Sequence, residues 1–191
     1  MKIDHINAFI TAVTRIELNL NLKNLSNFCF ELEKTKEKNK LSNIGGFQSK
    51  NIDLTNKNIQ PLLKEINTYV NKTAKELYSF KNELQVCNIW ANINRYKDFN
   101  LTHNHPFSIL SGVFYVKVPK NSGNIAFIND FSIDEYIPDS LFNNFNNYNC
   151  KTWNLCSEEN VMYIFPSWLK HVVGPNLSKE ERISFSFNTR F

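Results

Sequence analysis

The chain has 191 residues, 42% of them hydrophobic and 14% aromatic with 16 Phe, which is the length of one ordinary domain with enough apolar side chain to bury a core and excludes a disordered chain. The formal charge of +4 comes from Lys and Arg scattered without a dense basic block, so a nucleic-acid groove is not expected, although a weak attraction to anionic partners stays open. The four cysteines show neither Cys-x-x-Cys pairing nor zinc-finger spacing to His, which predicts free buried thiols in a reducing, cytoplasmic compartment; the apolar patch Ala8 to Val13 is too short for a membrane span and lacks the layout of a secretion signal.

In chain order, the β-branched run from Phe9 to Leu18 predicts an opening strand. Leu22, Leu25, Phe28, Cys29 and Leu32 recur at helical spacing and predict a first helix ending in the charged run Lys34 to Lys40. Gly45-Gly46 marks a loop. Ile59, Leu62, Leu63, Ile66, Val70, Ala74, Leu77 and Phe80 then mark one face of a second helix, with Pro61 in its first turn, where a missing N–H does no harm. Two such helices must bury their stripes on a sheet. From Leu84 onward the period shortens: Val86 to Ile93, Ile109 to Val118, Gly123 to Ile128, Val161 to Phe165 and Ile183 to Phe187 read as strands. The Asn- and Phe-rich segment from Phe131 to Trp153 has no period and predicts a long loop, placed to cover a site. The expected organisation is a single domain over 1–191: an N-terminal strand with helical support (1–83) and a closed or two-sheet β core (84–191).

Three of the four histidines fall in two places. His103 and His105, two residues apart, point the same way in extended chain and can share one ion. His171 closes one apolar run and Arg182 opens the next, so a hairpin would set imidazole and guanidinium on facing strands. Arg182 and Ser184 share a strand face, a fork and a hydroxyl suited to a carboxylate. Trp90, Asn92 and Asn94 share another face, and Asn92 with Tyr115 is a candidate for contact with a bound small molecule, an ordinary core role being as frequent. Nothing resembles a nucleophile elbow, a phosphate-cradling loop or a Cys-His pair.

Gly45-Gly-Phe-Gln-Ser49, Trp90-Ala-Asn92, His103-Asn-His105-Pro, Ser111-Gly-Val-Phe-Tyr115-Val, Ser122-Gly123, Phe165-Pro-Ser-Trp168, His171-Val-Val-Gly-Pro-Asn and Arg182-Ile-Ser-Phe-Ser-Phe-Asn188 follow one another in an order that resembles the 2-oxoglutarate and iron(II)-dependent oxygenases of marine bacteria and their phages. The resemblance spans nearly the whole chain. It implies an α+β, mainly β fold, a double-stranded β-helix (jelly roll) with two supporting helices. It also implies Fe(II), 2-oxoglutarate as co-substrate, O2, and an unidentified small-molecule or protein side-chain substrate; charge and apolar-run length separately predict no clear nucleic-acid and no membrane partner, and a homodimer stays open. The implied metal ligands are His103 and His171, with His105 at the third position; Arg182 and Ser184, with Asn92 and Tyr115 as further candidates, would hold the co-substrate.

One departure stands out. Such oxygenases generally carry a carboxylate two residues after the first His, and here that position is His105. Either three His form the site, or a carboxylate such as Asp130, or a water, completes it while His105 stands behind. Two rivals stay open: a cupin-like three-His dioxygenase that needs no 2-oxoglutarate, and a non-catalytic jelly-roll binding module whose histidines are structural.

Overall fold

The computed structural model of the chain describes every residue except 1, 36, 38, 40, 41 and 131–135. Its first strand, β1 (Thr14–Glu17), is shorter than the β-branched run predicts, and Phe9 and Ile10 are exposed. β1 pairs only with β9 (Val161–Pro166), from Thr14↔Ile164 to Glu17↔Val161. Pro166 lacks the N–H that a longer ladder would need, so the strand stops there.

Helix α1 (Leu22–Lys34) starts at Asn21, whose side chain accepts from the Asn24 N–H, and buries Leu25, Phe28 and Cys29. A single 3-10 turn over Lys57–Ile59 leads into α2 (Gln60–Tyr78), which buries Leu62, Ile66, Val70, Thr73 and Ala74. Both stripes pack on one face of a six-stranded antiparallel sheet, as the periodicity requires. Its inner strands are β9, β6 (Leu110–Lys117), β11 (Arg182–Arg190) and β4 (Gln85–Asn94), with β1 and β3 (Phe47–Gln48) at the edges. Alternation sends Ile89, Ala91 and Ile93 of β4, and Ile183, Phe185 and Phe187 of β11, toward the helices. The intervening residues face the other way.

There they meet a second, five-stranded sheet in the order β2 (Asn43–Ile44), β5 (Phe99–His103), β10 (His171–Val173), β7 (Ile125–Ile128) and β8 (Thr152–Leu155). Val113, Tyr115, Tyr163 and Phe165 of the large sheet pack against Ile125, Phe127 and Leu169 to form a smaller core between the layers. Strands from both ends of the sequence interleave in each sheet, which is the double-stranded β-helix arrangement. The segment before residue 84 adds β2 to one sheet and β1 and β3 to the other.

Within the predicted loop from Phe131 to Trp153, residues 131–135 lie outside the described ones; the remainder contains one 3-10 turn, Asp139–Leu141, and the start of β8. The charged run after α1 is likewise described only in part, helix ending at Lys34. None of the four cysteines forms a disulfide, and only Cys29 is buried, so the expectation of buried thiols holds for one: Cys87, at the register shift of β4, and Cys156, just past β8, are exposed, and Cys150 is half-buried.

Candidate metal centre and anion pocket

The open end of the space between the sheets is a cavity lined from the large sheet by successive cross-strand rows. Arg182 lies opposite Asn94, Ser184 opposite both Asn92 and Tyr115, and Ser186 opposite both Trp90 and Val113. Opposed residues on neighbouring strands point to the same side, so the polar members of three strands form one wall. The sequence pairing of Arg182 with Ser184, and of Trp90 with Asn92 and Asn94, is thus realised.

The facing wall carries the histidines. His103 ends β5 and His171 begins β10, and the two are direct cross-strand partners with ring centroids 4.3 Å apart. His105 lies just past β5, where its backbone N–H donates to the Ser167 carbonyl at 2.8 Å, and its ring centroid is 5.1 Å from each of the other two. One ligand atom from each ring lies within 4.8 Å of the others, and among the described residues this is the one His, Cys, Asp or Glu group close enough to share an ion. Asp130 is not part of it: its half-exposed carboxylate pairs with Lys170 at 2.9 Å. His5 is exposed and outside the site.

Backbone carbonyls set two of the tautomers. Nδ1 of His103 donates to the Leu101 carbonyl at 2.7 Å and Nδ1 of His171 to the Leu169 carbonyl at 3.0 Å, which leaves Nε2 as the free lone pair on both rings. Burial, reinforced by the neighbouring rings, pulls the His105 pKa down to about 3 and that of His171 to about 4, and burial lowers that of His103 as well. At neutral pH the trio is therefore uncharged and able to take a cation.

Arg182 does not occupy the hairpin geometry that the sequence suggests. β10 pairs with β5 and β7, whereas β11 pairs with β4 and β6, so the chain between them changes sheets and His171 and Arg182 face each other across the cavity. Nor is Arg182 a surface ion-pair residue: Glu180 and Glu181 pair with Lys117, while Arg182 is 1% exposed. Its Nη1 donates to the carbonyls of Ser122 and Gly174, and its Nη2 has no partner among the described residues. The Tyr115 hydroxyl, buried beside Ser157, also lacks a well-formed hydrogen bond. A buried guanidinium without a direct ion pair is costly: burial draws its pKa below the ordinary value, and the attraction of Tyr115 and Asp98 offsets this only in part. An anion in the cavity would satisfy both orphaned donors.

Residues 88–188, just over half of the chain, match the family described as "Putative 2OG-Fe(II) oxygenase". The chain belongs to this family of 2-oxoglutarate-dependent Fe(II) oxygenases. No curated protein matches. Among solved structures, this oxygenase is similar to a prolyl-4-hydroxylase from Pseudomonas putida (15% identity, 94% of this chain and 92% of that one, TM-score 0.65). It is similar to the non-haem α-ketoglutarate-dependent epimerase SnoN from nogalamycin biosynthesis (12%, 94% and 76%, TM-score 0.69). A viral collagen prolyl hydroxylase from Paramecium Bursaria Chlorella virus-1, solved as its 2-oxoglutarate complex, is also similar (10%, 93% and 95%, TM-score 0.61). At these identities the likeness establishes the jelly-roll fold of the oxygenase. Its donor set fits the family's two cofactors: neutral imidazoles for Fe(II), and a buried cation with an unpartnered N–H group for a dicarboxylate.

The sequence reasoning missed Ser42, whose Oγ lies 3.4 Å from His103 Nε2, and Ser186, which accepts from the Asn92 amide at 3.1 Å. Ser42 precedes a two-residue strand and carries no periodic signal. Ser186 follows from the same alternation that marked Arg182 and Ser184.

Proposed function

We propose that the oxygenase is a hydroxylase in which His103, His105 and His171 hold Fe(II), while Arg182 Nη2, the Tyr115 hydroxyl and Ser184 hold the far carboxylate of 2-oxoglutarate. Asn92, in the same cross-strand row as Ser184 and Tyr115, would add a contact to the co-substrate. The observation that carries the reading is the buried guanidinium of Arg182, its Nη2 unpartnered among the described residues, in the same cavity as three converging imidazoles. When bound, iron and 2-oxoglutarate supply O2 activation, with 2-oxoglutarate ending as succinate and CO2.

The chain's own contribution is placement. The Leu101 and Leu169 carbonyls orient two rings and keep their Nε2 atoms unprotonated. The Ser122 and Gly174 carbonyls occupy Nη1 of Arg182, so the carboxylate meets Nη2 and is oriented by a single N–H edge and the tyrosine hydroxyl. A three-His set adds no negative charge, which strengthens the pull of the site on a dianion. Trp90, whose ring centroid is 5.8 Å from that of His105, lies opposite Ser186, two cross-strand rows from Arg182, and this end of the cavity would receive the substrate, a small molecule or a protein side chain. Work in the cytoplasm keeps the free thiols reduced.

The test is turnover of the co-substrate. Aerobic Fe(II)-loaded protein converts 2-oxoglutarate to succinate, and Arg182→Ala slows that conversion by raising the 2-oxoglutarate concentration required. Oxygen consumption without succinate would replace this reading with a three-His dioxygenase that uses no co-substrate. Absence of bound iron, manganese or zinc from the purified protein would leave a binding module.

A further inference from the structure

Arg182 reaches its position by crossing from one sheet to the other, and the two glycines it meets there are not equivalent. Gly123, in the turn before β7, has φ +86, and a Cβ on it would lie 2.3 Å from the Gly174 carbonyl oxygen and 2.8 Å from Nη1 of Arg182. Both contacts are closer than real Cβ atoms tolerate, and one of the two partners is backbone. Gly174, immediately after β10, has no positive φ, and the nearest atom to a Cβ there is 3.6 Å away, an ordinary van der Waals contact. The guanidinium therefore lies against the Gly123 backbone with no room for a methyl group. The Ser122 carbonyl, one residue before Gly123, and the Gly174 carbonyl are the two acceptors of Nη1.

We infer that Gly123 is a positioning residue of the co-substrate site: its bare Cα lets Nη1 seat between the Ser122 and Gly174 carbonyls, and this turns Nη2 toward the ligand. The inference rests on the reading that Arg182 binds the 2-oxoglutarate carboxylate. It adds a residue that touches neither metal nor ligand and acts through Arg182. It also ties the anion pocket to the metal wall, because Gly174 follows by three positions the His171 that starts β10.

The test compares Gly123→Ala with Gly174→Ala in Fe(II)-loaded protein under anaerobic conditions, with 2-oxoglutarate binding measured by calorimetry and metal affinity measured separately. Gly123→Ala weakens 2-oxoglutarate tenfold or more, about the worth of one charge-assisted hydrogen bond. Its metal affinity stays within threefold of wild type, and Gly174→Ala binds both as wild type does. A folded Gly123→Ala protein with wild-type 2-oxoglutarate affinity would overturn the inference. An equal loss in Gly174→Ala would overturn it too, since the effect would then belong to the segment and not to the seat. Wild-type protein that loads iron but binds no 2-oxoglutarate overturns the proposed function, and this inference with it.

Should Gly123→Ala not fold, wild-type protein with labelled arginine gives the answer by NMR. The carbonyl seat holds the Arg182 guanidinium against rotation, so its Nη1 and Nη2 protons give separate signals before co-substrate is added, and 2-oxoglutarate shifts the Nη2 set. A single averaged guanidinium signal before addition contradicts the inference.

Discussion

Replacing Arg182 with Met removes the charge and keeps most of the side chain's volume, and the structure fixes what each state loses. In the ligand-free protein, the guanidinium is 1% exposed, has no direct ion pair among the described residues and only the longer-range attraction of Asp98, and makes two hydrogen bonds to carbonyls. Loss of those bonds costs about 1 kcal/mol each, or more where a carbonyl is left dry. Relief of the desolvation of a buried cation without a direct ion pair recovers a similar few kcal/mol in principle. The two roughly cancel, so Arg182→Met should melt within a few degrees of wild type. With 2-oxoglutarate bound, the balance is one-sided. A charge-assisted contact to the carboxylate is worth about 1.5–3 kcal/mol, and its loss raises the 2-oxoglutarate dissociation constant by roughly 10- to 150-fold. The assay is calorimetric titration of anaerobic, Fe(II)-loaded protein, with thermal melting of the ligand-free form alongside. Arg182→Met protein that binds 2-oxoglutarate within threefold of wild type would refute the reasoning, since the buried charge would then have no part in holding the co-substrate.

Three further outcomes follow from the same geometry. His105→Ala should lose at least tenfold in Fe(II) affinity, whereas Asp130→Ala, which breaks only the exposed pair with Lys170, should bind Fe(II) normally; the reverse pattern in a metal titration would make the carboxylate the third ligand. Leu62→Ala, at a fully buried contact of α2 with the large sheet, should cost about 2–5 kcal/mol in urea unfolding and leave metal affinity unchanged. The pKa of His171 falls from 6.5 unfolded to about 4 folded, because burial and the neighbouring His103 penalise the charged ring. Above pH 6.5 both states hold it neutral; from 6.5 down to about 4 the unfolded chain takes up a proton that the folded one refuses. Metal-free protein should therefore lose stability across that window, by up to about 1.4 kcal/mol per pH unit from this group. His171→Asn should reduce the slope by its share, His103 and His105 supplying the rest, and identical pH profiles for the two proteins would contradict the assignment.

The long amphipathic helices and the central strands were legible because their periods are sustained. Ile59 to Ala74 repeats one buried face over about four turns, although the predicted stripe fails at Leu77, which is exposed, and β4 and β11 alternate cleanly enough to put Asn92, Arg182 and Ser184 on one side. β2 and β3, two residues each, fall below any periodic signal, and Phe99–His103 alternates polar and apolar residues too weakly to announce β5. The opening strand was overextended because sequence shows the β propensity of residues 9–13 but not the absence of a partner beyond Pro166. The hairpin was misplaced for a related reason. Two apolar runs joined by Gly174-Pro-Asn look the same whether the second returns beside the first or crosses to the opposite sheet, and only the pairing of β10 with β5 and β7 decides it. That crossing makes the site: it brings His171 beside His103 and sends Arg182 to the facing wall.

The central claim is that iron and 2-oxoglutarate share the cavity between the three imidazoles and the buried guanidinium. Its most direct test is the visible absorption of anaerobic Fe(II)-loaded protein during titration with 2-oxoglutarate. Chelation of iron by the keto acid predicts a metal-to-ligand charge-transfer band that saturates at one equivalent per chain and requires a higher 2-oxoglutarate concentration in Arg182→Met. Fully iron-loaded wild-type protein that develops no such band would contradict it.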